Sequence, residues 1–377
     1  MKKLKVLMVD YALPRNKYAH GLCTELCKKV ELQVACDSRK EVGFEPTYTV
    51  IPMLYNGGKN KYGALFAYFL SNFKLAAMVV TGRYDVLHVQ TFKKPSYEIA
   101  LYKKLHPFVG KMVHTVHNVL PHEEKDENHK LYKSFYDACD ELIVHNEYSK
   151  QLLIDVFDIN SDKITIAAHG VYSTHVASDI EKSDREKFTV LLFGKVRKYK
   201  GIDVLIKSVQ YLSEEAKKKI RIIIAGEQFK DLDDTDYEAL IQECKAESII
   251  EFRNRRISDQ EKAQLFTEAD VCVCPYRVIF GSGVLLESYT YKCPVIVSDV
   301  PVFCEETDNG KTGLIFKNED PKDLAEKLER MVWMNSEERK ELITNIHSLV
   351  ETKYNWKSSA QKTLQAYQKN KRYLSEN

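Results

Sequence analysis

Short apolar runs alternate with helical stretches along almost the whole chain, and the alternation starts twice. Val6 to Val9, Leu32 to Ala35, Val86 to Val89, Met112 to Val116, Leu142 to Val144 and Ile164 to Ala167 read as strands. Helices are expected between most of them, near Leu22 to Lys29, Tyr97 to Leu105, Tyr132 to Cys139 and Ser149 to Val156. Such alternation implies a parallel sheet covered on both faces. A charged, turn-rich segment from Ser178 to Lys187 then interrupts. The pattern restarts with Thr189 to Phe193, Arg221 to Ala225, Ile249 to Phe252, Val271 to Cys274, Val295 to Val297 and Gly313 to Phe316. A chain of 377 residues is also too long for one ordinary core. The fold class is therefore α/β, with two doubly wound parallel-sheet domains facing across a cleft. Their expected bounds are 1–178, joined by a C-terminal helix at about 356–377, and 188–355.

Composition excludes little. Hydrophobic content of 44% and charged content of 29% describe a soluble globular protein. The nine cysteines show no Cys-x-x-Cys pair; Cys36, Cys272, Cys274 and Cys293 lie in apolar runs, and Cys23 and Cys27 share a helix face. Reduced thiols and a cytoplasmic location are expected, with Met1 to Lys5 running straight into a strand. The net charge of +2 is uneven: residues 1–111 hold 18 Lys/Arg against 8 Asp/Glu, a balance of +10, so the remainder carries −8. A cationic first domain points to an anionic surface, either nucleic acid or the inner face of a membrane. For nucleic acid no recognised motif is present, so no nucleic-acid partner is expected.

Two segments carry chemistry. Tyr276 to Glu287 follows a strand and opens a helix, with Gly281 and Gly283 at the junction. Glycines there allow a tight turn and bare the first N–H groups of the helix, which with its dipole attract an anion such as a diphosphate. Glu287 falls one turn into the helix, where a carboxylate can accept from ribose hydroxyls. The second segment, Leu191 to Gly201, also joins a strand to a helix and holds Lys195, Arg197, Lys198 and Lys200 within six residues. Alone it is equally well a solvated basic turn. With the glycine turn about 80 residues later on the same sheet face, a polyphosphate clamp is the better reading.

In order along the chain, the motifs are Asp85 to Gln90, His114 to Glu123, Ala168 to Gly170, Phe193 to Gly201, Ile224 to Glu227, Gly281 to Glu287, Asp299 to Glu305, Thr312 to Leu314 and Tyr354 to Trp356. This set resembles the retaining glycosyltransferases of the GT4 type, which have the GT-B fold of two Rossmann-like domains. The resemblance implies a metal-independent hexosyltransferase that moves a sugar from a nucleotide diphosphate sugar to a sugar or lipid-linked acceptor. Surface polysaccharide or glycolipid assembly of bacterial type is the setting it suggests. It puts Arg197 and Lys200 on the donor diphosphate, with Lys195 where an arginine is usual. Glu287 matches the ribose glutamate, and Ser282, Gly283 and Val284 offer backbone to phosphate and sugar oxygens. Arg256 and Ile257 match the loop at the nucleobase, and His117 the histidine facing the donor sugar. Ile279 departs from the pattern, standing where an acidic residue is common. A non-catalytic nucleotide-sugar binder of the same fold is therefore the alternative.

Other residues carry weaker expectations. His88, Asn118 and His122 are placed on the acceptor side, and Glu305 within reach of a ribose or sugar hydroxyl. His114, His117 and His122 cluster in sequence, but strand alternation puts His114 and His117 on opposite faces, against a metal site. A Rossmann oxidoreductase would need Gly-x-Gly-x-x-Gly after the first strand, where Asp10 to Pro14 stands instead. The segment Tyr62 to Met78 is apolar nearly all round, preceded by Lys59 and Lys61. It is expected as a buried helix, with shallow membrane insertion as the alternative.

Overall fold

The computed structural model describes residues 3–13, 17–38, 45–54, 61–119, 126–172 and 187–369. It divides into two compact units, 1–170 with 353–377, and 171–352. Most of the charged segment expected as a linker lies outside the described residues, as does His122.

The first unit contains strands β1 (Lys5–Asp10), β2 (Glu31–Asp37), β3 (Thr49–Leu54), β4 (Val86–Val89), β5 (Met112–Thr115), β6 (Glu141–Val144) and β7 (Ile164–Ile166). They form one parallel sheet in the order β3-β2-β1-β4-β5-β6-β7. Helices α1 (Lys17–Leu26), α2 (Lys61–Gly82), α3 (Pro95–Leu105), α4 (Asp126–Ala138) and α5 (Glu147–Phe157) connect them. β4, β5 and β6 are buried at every position, as expected of strands covered on both faces. β3 was not expected: Pro52 interrupts it, and it survives because it is the edge strand.

The second unit carries β8 (Phe188–Phe193), β9 (Ile220–Ala225), β10 (Ile250–Arg253), β11 (Val271–Cys274), β12 (Val295–Ser298) and β13 (Gly313–Phe316), in the order β10-β9-β8-β11-β12-β13, again parallel. Its helices are α6 (Ile202–Ser208), α7 (Glu214–Lys219), α8 (Tyr237–Glu243), α9 (Asp259–Glu268), α10 (Gly283–Thr290), α11 (Pro301–Glu306), α12 (Pro321–Val332) and α13 (Ser336–Thr352). In each sheet the order reverses beside the first strand, between β1 and β4 and between β8 and β11. Those reversals create the crevices at strand C-termini where α/β sheets bind ligands.

The last helix, α14 (Trp356–Gln368), returns to the first unit. Asn355 caps it by accepting from the Ser358 N–H at 2.8 Å, worth about 1 kcal/mol. The Trp356 indole lies against two glycines. A Cβ on Gly21 would fall 2.3 Å from the ring, and one on Gly170 2.6 Å. Lys111, buried in the sheet, donates to the Ala366 carbonyl at 2.9 Å and so ties α14 down.

α2 departs from expectation. Tyr68, Ser71, Asn72, Leu75 and Val79 are buried, but Tyr62, Phe66, Phe69 and Phe73 are exposed. A helix apolar all round gives no sequence signal for which side faces the core.

Candidate active site

The reversal in the second sheet puts the loop after β8 beside the loop after β11. Gly201, with φ of 65°, lets them meet: a Cβ there would stand 1.9 Å from the Pro275 carbonyl oxygen. Arg277 braces the junction. Its guanidinium donates to both Asp203 carboxylate oxygens at 3.0 and 2.9 Å, to Glu319 at 2.6 Å and to the Lys198 carbonyl at 2.6 Å. Its backbone N–H donates to the Tyr199 carbonyl at 2.7 Å. One arginine therefore holds the basic loop through the Lys198 and Tyr199 carbonyls and ties it to Asp203 and Glu319.

Lys200 is buried and donates to the Phe193 carbonyl at 3.2 Å, with the Tyr276 ring 5.2 Å from its ammonium. Burial pushes its pKa down to about 8. Gly194, with φ of 106°, makes room for it: a Cβ there would lie 2.6 Å from Lys200 Nζ and 3.6 Å from Val284 Cγ2. One glycine thus marks where the Lys200 ammonium meets the start of α10. Arg197 Nη1 is buried with no hydrogen-bond partner. A desolvated guanidinium donor without an acceptor costs about 1–3 kcal/mol, more if fully charged, unless a ligand supplies one. Arg197 and Lys195 lie over the Phe229 ring at 5.5 and 5.9 Å, with Lys195 exposed.

α10 begins beside this loop. Ser282 is its N-cap and accepts from the Leu285 N–H at 3.2 Å. The Ser282 N–H faces Glu306 Oε1 at 3.4 Å, so a protein carboxylate occupies the amide expected to be offered to a ligand. Gly283 and Val284 supply first-turn N–H groups that a helix cannot satisfy itself. The glutamate at this turn is Glu306; Glu305, expected within reach of a ribose or sugar hydroxyl, is half-buried one residue earlier in α11. The Tyr172 hydroxyl would lie 3.3 Å from a Cβ on Gly283, and its pKa is pushed up to about 12 by burial and by Glu287. Glu287 is buried and pairs with Lys262 of α9 at 2.8 Å. Arg256 is exposed and Ile257 half-buried in the loop after β10, just before the α9 cap Ser258.

In the first unit, histidines end three successive strands. His117, half-buried after β5, has Nδ1 3.2 Å from His145 Nε2 and Nε2 3.0 Å from the Gln90 side-chain amide. The Tyr18 ring packs on His117, His145 and His169 at 4.9, 5.1 and 4.8 Å. Burial holds all three below the usual imidazole range, His169 at about 3. His88 is corrected: both its nitrogens are engaged inside the unit, with the Tyr367 hydroxyl and Thr115 Oγ1 each at 2.7 Å. It is a core residue and faces no acceptor. Asn118 is exposed. His114 lies on the other face from His117, among Phe92, Phe135 and Tyr136, bonded to the Val89 carbonyl at 2.8 Å. Among the described residues no three His, Cys, Asp or Glu converge as metal ligands.

Two family descriptions together span most of the chain. Glycosyltransferase family 4 matches residues 16–174, and glycosyl transferases group 1 matches residues 175–348. The chain belongs to the GT4-type glycosyltransferases. Its two parallel-sheet units are those of the GT-B fold. A D-inositol 3-phosphate glycosyltransferase of Corynebacterium aurimucosum is 25% identical over 271 residues, covering 66% of this chain and 63% of its own. The match thus spans less than two thirds of that relative. A sucrose-phosphate synthase from Thermosynechococcus elongatus has a TM-score of 0.76 at 18% identity, covering 97% of this chain and 98% of its own. The Anabaena protein HepE, solved in complex with UDP, has a TM-score of 0.74 at 13% identity, covering 97% and 100%.

Sequence reasoning missed four residues of this GT4-type glycosyltransferase. Lys262, Glu306 and Tyr172 reach the start of α10 only through tertiary packing, and no local pattern marks them. His145 had a signal. It follows directly on β6, as His117 and His169 follow β5 and β7 within two or three residues, so aligning strand ends would have found it.

Proposed function

We propose that the protein transfers a hexosyl group, with retention of anomeric configuration, from a nucleotide diphosphate sugar to an acceptor hydroxyl. The observation that carries this reading is the Lys200 ammonium and the start of α10 meeting at Gly194, in the loop that also holds the unpartnered Arg197 nitrogen. As the sugar–oxygen bond breaks, negative charge collects on the leaving diphosphate. Arg197, Lys200 and the N–H groups of Gly283 and Val284 stabilise that charge, with Lys195 adding a looser contact. This electrostatic scheme requires no metal. Glu287 takes the ribose hydroxyls, Arg256 and Ile257 border the base, and His117 is the candidate for the reacting sugar. Ser282 shapes the turn as a cap. Asn118 and His122 remain acceptor-side candidates, and the acceptor is a sugar or lipid-linked hydroxyl of surface polysaccharide or glycolipid assembly. The UDP complexes of HepE favour a uridine donor as the first to test.

Thermal shifts with UDP-, GDP- and ADP-sugars test donor binding, since a ligand of the folded state raises Tm by linkage. Product formation with the stabilising donor then separates transfer from the second reading, a non-catalytic binder. That reading is motivated by Ile279, apolar and half-buried where the family commonly has an acid. Donor binding without transfer to any hydroxyl acceptor would favour it.

A further inference from the structure

We propose that α2 docks the first unit on an anionic lipid surface. Tyr62, Phe66, Phe69, Phe73 and Val80 recur at i, i+4, i+7, i+11 and i+18, which places them on one stripe of the helix. Tyr62 is 84% exposed, and Phe66 and Phe73 are each 71% exposed. The opposite side is anchored in the unit: Tyr68 donates to Glu98 at 2.5 Å, and Leu75 and Val79 join the core. α2 is long and apolar enough to cross a membrane, yet this anchoring holds it flat against the sheet, where only the outer stripe is available. Contiguous exposed aromatic stripes mark interaction surfaces.

Charge selects the occupant. Residues 46–84 contain no Asp or Glu at all. Lys74 is exposed on α2, and Lys93 and Lys94 are exposed just before α3. The start of α3 adjoins the stripe, because the Tyr97 ring packs edge-on against Phe69 at 4.9 Å. Aromatic side chains flanked by lysines suit the headgroup boundary of an anionic leaflet, where rings insert and ammonium groups face phosphates. A second copy of this chain would bring the same lysines against each other and is the poorer fit. Lipid docking does not rest on the donor chemistry; its use, bringing a transferase to a lipid-linked acceptor, does.

The test is sedimentation of the full chain with vesicles of phosphatidylcholine alone and with one third phosphatidylglycerol. Light scattering reports the oligomeric state, and thermal shift with UDP-glucose is run in parallel. The paired substitution Phe66→Ser and Phe73→Ser alters only exposed side chains, and Lys93→Ser with Lys94→Ser tests the charges. Binding is expected to the anionic vesicles only. It should weaken in high salt and fall about tenfold or more in each paired variant. No binding of the parent to anionic vesicles overturns the proposal, as does unchanged binding of the phenylalanine pair. A dimer that the phenylalanine pair dissociates would also overturn it, assigning the face to a second copy. The UDP-glucose response is expected to be equal in all variants. If no nucleotide sugar stabilises the parent while vesicles still bind, the donor reading fails and the lipid surface stands.

Discussion

His117 Nδ1 and His145 Nε2 stand 3.2 Å apart, and through that contact His145 sets the tautomer of His117. His145 Nδ1 faces the Ala167 carbonyl at 2.9 Å, and a carbonyl only accepts, so Nδ1 carries the hydrogen. With both rings kept neutral by burial, His145 Nε2 is an acceptor and His117 Nδ1 must be its donor. His117 Nε2 is then a bare lone pair. A lone pair cannot bond the Gln90 oxygen placed 3.0 Å from it, so the amide is assigned the flipped orientation, with its NH2 group toward His117 and its oxygen toward His88, whose Nδ1 then accepts from the Tyr367 hydroxyl.

The first prediction concerns this positioning. His145→Phe removes the acceptor of the His117 Nδ1–H, an interaction worth about 1 kcal/mol, and lets the ring change tautomer. Nitrogen NMR should show His117 as the Nδ1–H form in the parent and as a mixture in the variant. The rate of transfer should fall with donor affinity unchanged, and His145→Gln, which restores an acceptor, should recover most of it. Equal rates in parent and His145→Phe would remove His145 from the argument.

Acid stability follows from the buried histidines. His88 and His114 are held neutral by burial, with pKa values of about 3 and about 4. Both are depressed below the unfolded value near 6.5, so between that pH and their folded pKa values only the unfolded chain takes up the protons. Their contribution is complete above pH 6.5 and is lost as pH falls toward 3–4. At pH 5 the two together should cost about 4 kcal/mol. Native-state hydrogen exchange at the β4 and β5 amides measures it. Protection that is the same at pH 7.5 and 5 would contradict the assignment, and His114→Phe, set among aromatic rings, should flatten the dependence.

The parallel strands were legible because strands buried on both faces are uninterrupted runs such as Val271 to Cys274. The meeting of the β8 and β11 loops was legible for a related reason: they are distant in sequence but come together wherever a doubly wound sheet reverses order. Lys200 and Gly283 could thus be paired from the pattern alone. Side-chain direction could not. That His88 turns inward while His117 reaches its strand end depends on Tyr367, 279 residues away from His88 in the chain. The exposed stripe of α2 was hidden for the opposite reason, since a uniformly apolar helix records nothing about which side the sheet will cover.

Glu287 pairs with Lys262, and its proposed contact with the donor ribose can be separated from that pairing. Its pairing with Lys262 is largely buried, so Glu287→Gln leaves an ammonium without its counter-charge, a loss on the order of 1–3 kcal/mol. Thermal unfolding should show Tm lower by several degrees, roughly 2–4 °C per kcal/mol for a unit of this size. Adding Lys262→Met should restore Tm, because the unpaired charge is gone, while donor affinity stays low if the carboxylate holds the ribose. Recovery of donor affinity in the double variant would assign Glu287 to structure alone.

If the donor diphosphate lies on Lys200 as proposed, donor binding should depend on pH. Burial holds its pKa at about 8, so above that pH the empty site carries a neutral amine. A diphosphate favours the ammonium, and binding above pH 8 must therefore take up a proton. Calorimetry in buffers of different ionisation enthalpy should find almost no uptake at pH 6.5, about half a proton at pH 8 and close to one at pH 9. Affinity should weaken as pH rises through that window. Lys200→Met should abolish the linked proton and lose about 1.5–3 kcal/mol of binding at pH 7, the value of a charge-assisted contact. Because Met fills a similar volume beneath Gly194, the loop should remain folded in that variant. Proton uptake that persists in Lys200→Met would place the titrating group elsewhere, and affinity independent of pH in the parent would take Lys200 off the diphosphate.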